Sequence, residues 1–283
     1  MTTHTLSLPG VELVYDVLGV ADGRPLVLIG QPMAADGFHA LASHLPDLRV
    51  VLYDPRGMGR SVRSDGEVTA VPETQAADLH ALVGALGGGP VDVFASSGGA
   101  VTALAWVAAY PDDVATLVAH EPPLIDTLPD ADAAWRAYDD IRRVYAERGW
   151  GAGMAAFMTY TSWPGEFTDD YFAQPAPDPA TFGMPTEDDG SRDDPLLSDR
   201  SLAIVRYRPD VDALRAAPTR VVLAVGEETG DTFTARTARA TAALLGSEAV
   251  VFPSHHGGFA GEDEAWPGQA KAFAVRLREV LGS

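Results

Sequence analysis

The sequence predicts an α/β fold: a mostly parallel sheet covered by helices on both faces. Three observations carry this prediction. Short apolar runs alternate with helical patterns through the first third of the chain. Leu26–Ile29 and Arg49–Tyr53 are nearly continuous apolar runs, as expected of strands buried on both faces. Between them and the next run lies a helix with Pro72 in its first turn and Gly87 just past its end, at the positions those residues favour.

The remaining elements follow in chain order. Thr5–Leu8 and Val11–Val17 flank Pro9-Gly10 and predict a hairpin. Val91–Ala95 is a strand, Gly98–Tyr110 the helix after it, and Ala115–His120 another strand. Thr219–Val225 and Ala249–Phe252 are the last two strands, accompanied by helices near Thr232–Leu245 and Pro267–Leu281. The middle differs. Ala131–Arg148 has Trp135, Tyr138, Ile141 and Tyr145 at helical steps. A separate apolar segment, Met154–Met158, leads to Tyr160 and Trp163, and a Pro- and Asp-rich irregular stretch runs from Pro164 to about Asp199. This divides the chain into a core of residues 1–125 and 209–283 and an inserted helical cap of residues 126–208. The length of 283 residues fits one such domain and also allows two small ones.

Composition bounds the function. Of 283 residues, 46% are apolar, enough for a large core, yet no apolar run approaches the roughly 18 residues of a membrane span. The first ten residues, MTTHTLSLPG, lack the basic and apolar regions of a signal peptide, so a cytoplasmic protein is expected. The absence of cysteine excludes disulfides, a cysteine nucleophile and thiolate metal sites. Forty acidic against twenty basic residues give a formal charge of −20, which repels nucleic acid and anionic membrane surfaces. Lys271 is the sole lysine.

The segment Val91-Asp92-Val93-Phe94-Ala95-Ser96-Ser97-Gly98-Gly99-Ala100 runs from strand to helix through a Ser-rich turn. A turn this sharp requires small residues two positions either side of an exposed nucleophile. Ser97 has Ala95 and Gly99 there; Ser96 has Phe94, which is too bulky. Ser97 is therefore the candidate nucleophile. The helix N-terminus beneath it favours developing negative charge, and the Gly98 N–H can donate to an oxyanion. A plain Ser-Gly turn is the competing reading.

These residues resemble the α/β-hydrolase family, serine-nucleophile, capped and esterase- or lipase-like, with an Ala95 departure from G-x-S-x-G. Leu26-Val27-Leu28-Ile29-Gly30-Gln31-Pro32 resembles that family's strand and H-G-x-P turn, with Ile29 in place of the His. The resemblance implies Gln31 N–H as a second oxyanion donor. Asp54-Pro55-Arg56-Gly57-Met58-Gly59-Arg60-Ser61 resembles the D-x-R-G-x-G-x-S loop, implying an orienting ion pair between Asp54 and Arg56.

Near the C-terminus a strand runs into His255-His256-Gly257-Gly258-Phe259. Histidine titrates near neutral pH and suits general-base work. His256 is the candidate because it precedes the flexible glycines and Phe259, like the family's histidine loop; His255 is left a supporting role. Adjacent histidines on a loop, with no obvious third ligand, are poor evidence for a metal. The triad acid is open between two positions. The family's usual place, three residues after Gly226, holds Thr229, with Glu228 beside it. A second family solution, after the strand that follows the nucleophile helix, falls on Glu121, which is preferred.

The expected function is a serine hydrolase acting on an ester or related acyl compound through Ser97, His256 and Glu121, with Gln31 and Gly98 holding the oxyanion. It needs neither cofactor nor metal, and its partner is a small acyl substrate. Trp135, Tyr138, Phe157 and Trp163 are candidate pocket residues for an apolar substrate. Cofactor-free haloperoxidase or perhydrolase chemistry and acyl transfer would use the same triad. A non-catalytic ligand-binding protein is the third reading, motivated by Thr229 at the usual acid position. Substrate identity and oligomeric state are not legible in the sequence.

Overall fold

The computed structural model describes residues 1–264 and 266–282. In chain order the strands are β1 (Thr2–Leu8), β2 (Val11–Gly19), β3 (Leu26–Ile29), β4 (Arg49–Tyr53), β5 (Val62–Arg63), β6 (Val91–Ser96), β7 (Val114–His120), β8 (Arg220–Gly226) and β9 (Val250–Phe252). The α-helices are α1 (His39–Ser43), α2 (Pro72–Ala85), α3 (Gly98–Ala109), α4 (Ala131–Ser162), α5 (Asp169–Phe172), α6 (Leu202–Val205), α7 (Val211–Ala216), α8 (Phe233–Leu244) and α9 (Ala270–Leu281). The strands form one sheet in the order β1-β2-β4-β3-β6-β7-β8-β9, with β5 on β2. The pairings of β2 with β1, β4 and β5 are antiparallel, and β4, β3, β6, β7, β8 and β9 run parallel. The expected α/β fold is the one observed.

The strand period of two explains the layering. Val27 and Ile29 of β3, Val93 and Ala95 of β6, and Leu117 and Ala119 of β7 face one side, where α2 and α3 pack with the fully buried Trp106. Leu26, Leu28, Phe94 and Val118 face the other, where Phe38 and α9 cover them. There Phe94 and Phe273 meet edge to face, with ring centroids 5.2 Å apart. Each such aromatic pair contributes about 1 kcal/mol beyond its burial.

Between β7 and β8 the chain builds a further apolar cluster around Tyr138, Ile141, Tyr145, Tyr160, Phe167 and Leu197, which packs against Phe233 of α8. The expected helix does end at Arg148: Gly149, at φ 81° and ψ −172°, is not helical, and a second helix carrying Met154–Met158 follows it to Ser162, the two together making up α4. A Cβ at Gly149 would lie 2.2 Å from Asp188 Oδ1, so the 183–195 segment packs where a side chain would stand. The last helix begins at Ala270 rather than Pro267, because Gln269 N–H is drawn back to Gly258 O, 2.9 Å away.

Candidate active site

The parallel strands deliver the candidate residues to one edge of the sheet. Ser96 pairs with His120 across β6 and β7, and His120 with Ala224 of β8. Gly226 pairs with Phe252 of β9. Ser97, Glu121, Gly226 and the loop carrying His256 therefore all leave the carboxyl ends of neighbouring strands, where open α/β sheets place their sites.

Ser97 sits at φ 57°, ψ −128°, outside the usual regions for a side-chain-bearing residue. Such a conformation costs of order 1–3 kcal/mol and persists only where the surroundings enforce it. The enforcement is visible. Ser97 N–H donates to His120 O at 2.9 Å, and Ser97 O accepts from Ala100 N–H at 3.0 Å. A Cβ at Gly99 would lie 2.5 Å from Ile29 O, so β3 and α3 approach as closely as they do only with glycine there. The two serines are placed differently. Ser96 is 2% exposed, its hydroxyl 3.3 Å from His120 Nδ1, while Ser97 is partly exposed at the helix start.

Glu121 follows β7 at φ 50° and is 0% exposed. Its Oε1 accepts from Gly226 N–H at 2.8 Å. Its Oε2 accepts from Thr234 Oγ1 at 2.8 Å and from His256 Nδ1 at 2.5 Å. Burial alone would raise this carboxyl group's pKa; the His256 hydrogen bond and the nearby imidazoles outweigh it and hold it well below the usual carboxylate range. A carboxylate engaged this way fixes the imidazole with Nδ1 protonated, leaving Nε2 free to accept a proton. Glu228 is elsewhere: it is exposed and accepts from Gln269 Nε2 at 3.0 Å. Thr229 is buried beside the Glu121 carboxylate.

His255 braces the same loop. Its ring stacks on Trp266 at 4.3 Å, its Nε2 donates to Pro267 O at 2.9 Å, and its Nδ1 accepts from Gly257 N–H at 3.0 Å. His120 is fully buried, and burial pushes its pKa down to about 4, so it is neutral at pH 7. Its Nε2 has no partner. His120, Glu121 and His256 converge, with one ligand-type atom of each within 4.8 Å of the others. Both Glu121 oxygens are already taken by protein donors, so the cluster is organised as a hydrogen-bond network.

Several expectations are altered. Arg56 does not pair with Asp54. Its guanidinium grips Asp78 of α2 at 2.6 and 2.9 Å and Asp65 at 3.1 Å. Asp54 instead accepts from Arg60 Nε at 2.6 Å and from Ala35 N–H at 2.8 Å. The reason is that Asp54 lies on the α1 side of the loop, whereas Arg56 reaches α2. Gly98 N–H, expected to be free for an oxyanion, donates to Gln31 O at 3.2 Å. Gln31 N–H has no hydrogen-bond partner among the described residues. Ser97 Oγ and His256 share no hydrogen bond among the described residues.

The four aromatic candidates belong to the apolar cluster around Tyr138 and Tyr160. Trp135 Nε1 donates to Asp126 Oδ1 at 2.6 Å, and Trp163 Nε1 to Glu166 O at 3.0 Å. Tyr138 is buried against Trp135 and Tyr160, and Phe157 lies against the same cluster. The helical spacing that suggested a pocket wall is the spacing of an apolar helix face seeking its own core. The cleft that reaches Gln31, about 410 Å³, is lined by Arg56, Arg63, Glu67 and Arg200 among polar side chains and by Met58, Val68 and Pro195 among apolar ones.

The family model for the alpha/beta hydrolase fold matches residues 25–149. Together with the sheet order and the bend at Ser97, this shows that the chain has the α/β-hydrolase fold. Over 98% of its length it is 28% identical to the uncharacterized hydrolase YraK of Bacillus subtilis, of which it covers 95%. The esterase RhEst1 of a Rhodococcus species has a similar structure, with TM-score 0.68 and 19% identity over 100% of this chain and 99% of that one. So has a thermophilic esterase of Thermogutta terrifontis, with TM-score 0.67 and 21% identity over 100% and 98% of the two chains. No helix among the described residues is long and apolar enough to cross a membrane.

Proposed function

We propose that this α/β hydrolase is a serine esterase, hydrolysing a carboxylic ester of a small molecule. The observation that carries the reading is the 2.5 Å contact from His256 to the buried Glu121 carboxylate, on strand ends adjoining the strained Ser97 turn. The esterases among the structural relatives support the same class.

In this reading Ser97 Oγ attacks the ester carbonyl while His256 Nε2 takes its proton. The imidazolium that forms is stabilised by Glu121, whose other hydrogen-bond donors among the described residues, Gly226 N–H and Thr234 Oγ1, are neutral. His256 then protonates the leaving alcohol, and water repeats the sequence on the acyl-enzyme. Two small adjustments accompany substrate entry. Ser97 Oγ and His256 Nε2 close to hydrogen-bond distance, as catalytic pairs commonly do only in the Michaelis complex. The long 3.2 Å bond from Gly98 N–H to Gln31 O gives way to the oxyanion, which Gln31 N–H also binds. The segment of residues 126–208 acts as a cap over this site.

The test is hydrolysis of short p-nitrophenyl esters, beside fluorophosphonate labelling, with Ser97→Ala as control. Wild-type turnover and labelling at Ser97 are expected, with turnover falling by about 10³-fold or more in the variant. Equal turnover in both proteins, with no label at Ser97, overturns the proposal.

A further inference from the structure

The cleft beside the candidate site holds an arginine that makes no ion pair among the described residues. In a chain of charge −20, arginines are readily paired with carboxylates or carbonyl oxygens. Two arginines of this cleft are so paired: Arg56 by Asp78 and Asp65, and Arg63 by Asp65 and the Thr69 carbonyl. Arg200 is not. Among the described residues its guanidinium makes no hydrogen bond or ion pair, although it is only partly exposed and lines the cleft. Glu67, on the same cleft wall, forms no ion pair with it.

Its position is fixed by the backbone. Ser198 Oγ caps the short turn through Asp199–Ser201 by accepting from Arg200 N–H at 3.3 Å. Arg200 O accepts from Ala70 N–H at 2.7 Å. The next helix, α6, brings Ile204 against Gly98, where an added Cβ would be 3.0 Å from its Cγ2. Arg200 is thus held on the element that covers the turn after Ser97. Gln31, 5% exposed, lines the same cleft, and its buried side-chain oxygen has no partner among the described residues.

We infer that Arg200 selects substrates bearing a carboxylate beyond the scissile ester, the half-esters of dicarboxylic acids. The inference rests on the esterase reading for the position of the ester, but not for the anion site itself. In this arrangement the ester lies at Ser97, beside Gln31, and the free carboxylate at Arg200; Gln31 and Arg200 line the same cleft. The overall negative field disfavours an anionic substrate. A guanidinium without a carboxylate of its own provides the local exception, through a charge-assisted and potentially two-pronged hydrogen bond.

Two measurements test this. The first compares kcat/KM for monoethyl adipate and for ethyl hexanoate, which differ by the terminal carboxylate. The ratio is expected to favour the half-ester in the wild type and to fall at least about tenfold in Arg200→Gln. It should be partly retained in Arg200→Lys and rise in Glu67→Gln. An unchanged ratio in Arg200→Gln overturns the inference and leaves the esterase reading standing. The second measures adipate binding by calorimetry to Ser97→Ala and to Ser97→Ala/Arg200→Gln. Binding weakened at least about tenfold by the second substitution supports the anion site even if no ester is turned over, which would sink only the esterase reading. Equal binding, or none to either protein, overturns the site. Thermal denaturation of each variant separates misfolding from loss of the site.

Discussion

His256 and Glu121, separated by 135 residues, meet at 2.5 Å, and the carboxylate that receives the imidazole is the one ending β7, not the one beside Thr229. Two further donors, Gly226 N–H and Thr234 Oγ1, hold the same carboxylate. The imidazole therefore has one orientation imposed on it by three different elements.

Glu121→Gln is expected to lower kcat by about 10³–10⁴-fold, because an amide cannot enforce the tautomer or stabilise the imidazolium. Glu228→Gln, which changes only an exposed contact to Gln269, should stay within about twofold by the usual weakness of surface contacts. Steady-state kinetics on one ester decide it; comparable losses in the two variants would displace Glu121 from the acid's role.

His120 gives stability a pH dependence of known sign. Its folded pKa of about 4 lies below the ordinary 6.5, so the folded state binds fewer protons than the unfolded. Stability is whole above pH 6.5 and is lost as pH falls toward 4. Between pH 6.5 and 5 the loss is about 2 kcal/mol. His120→Asn should flatten that slope in urea titrations. Glu121 acts in the same direction but lower, below the ordinary carboxylate value of 4.5, because its folded pKa is also depressed. A slope unchanged by the substitution would mean that His120 does not titrate this way.

Gly99→Ala should destabilise the protein by about 1–3 kcal/mol, the cost of forcing a methyl group into a filled space. The new Cβ would meet Ile29 O at 2.5 Å. A melting temperature within a degree of wild type would show that β3 and α3 separate more easily than their packing suggests.

Arg56→Met should cost about 3–5 kcal/mol, since it leaves the buried Asp78 carboxylate without its partner. Pairing it with Asp78→Leu should recover most of that loss. A double-mutant cycle by urea denaturation reads the coupling, and strict additivity would argue that the bidentate contact contributes little.

Much of the fold was legible because its causes are local. Runs such as Leu26–Ile29 and Val91–Ser96 state their own burial, and Pro72 and Gly87 mark their helix by backbone preference alone. The bend at Ser97 was legible for the same reason. Ala95 and Gly99 satisfy a steric requirement that spans five residues. Arg200 left no comparable signal; one arginine in a Pro- and Asp-rich stretch looks like any other until its surroundings are known.

By itself, then, the sequence determined the layered α/β architecture and the sharp turn presenting Ser97, since both follow from periodicity and sterics between near neighbours. Tertiary structure alone decided which carboxylate meets His256, that Arg56 reaches Asp78 while Arg60 takes Asp54, and that Gly98 N–H rests on Gln31 O. All of these but the Arg60–Asp54 contact, which lies within one loop, join groups from different elements. Their partners are set by how strands and loops converge in space, and chain spacing carries no record of that convergence.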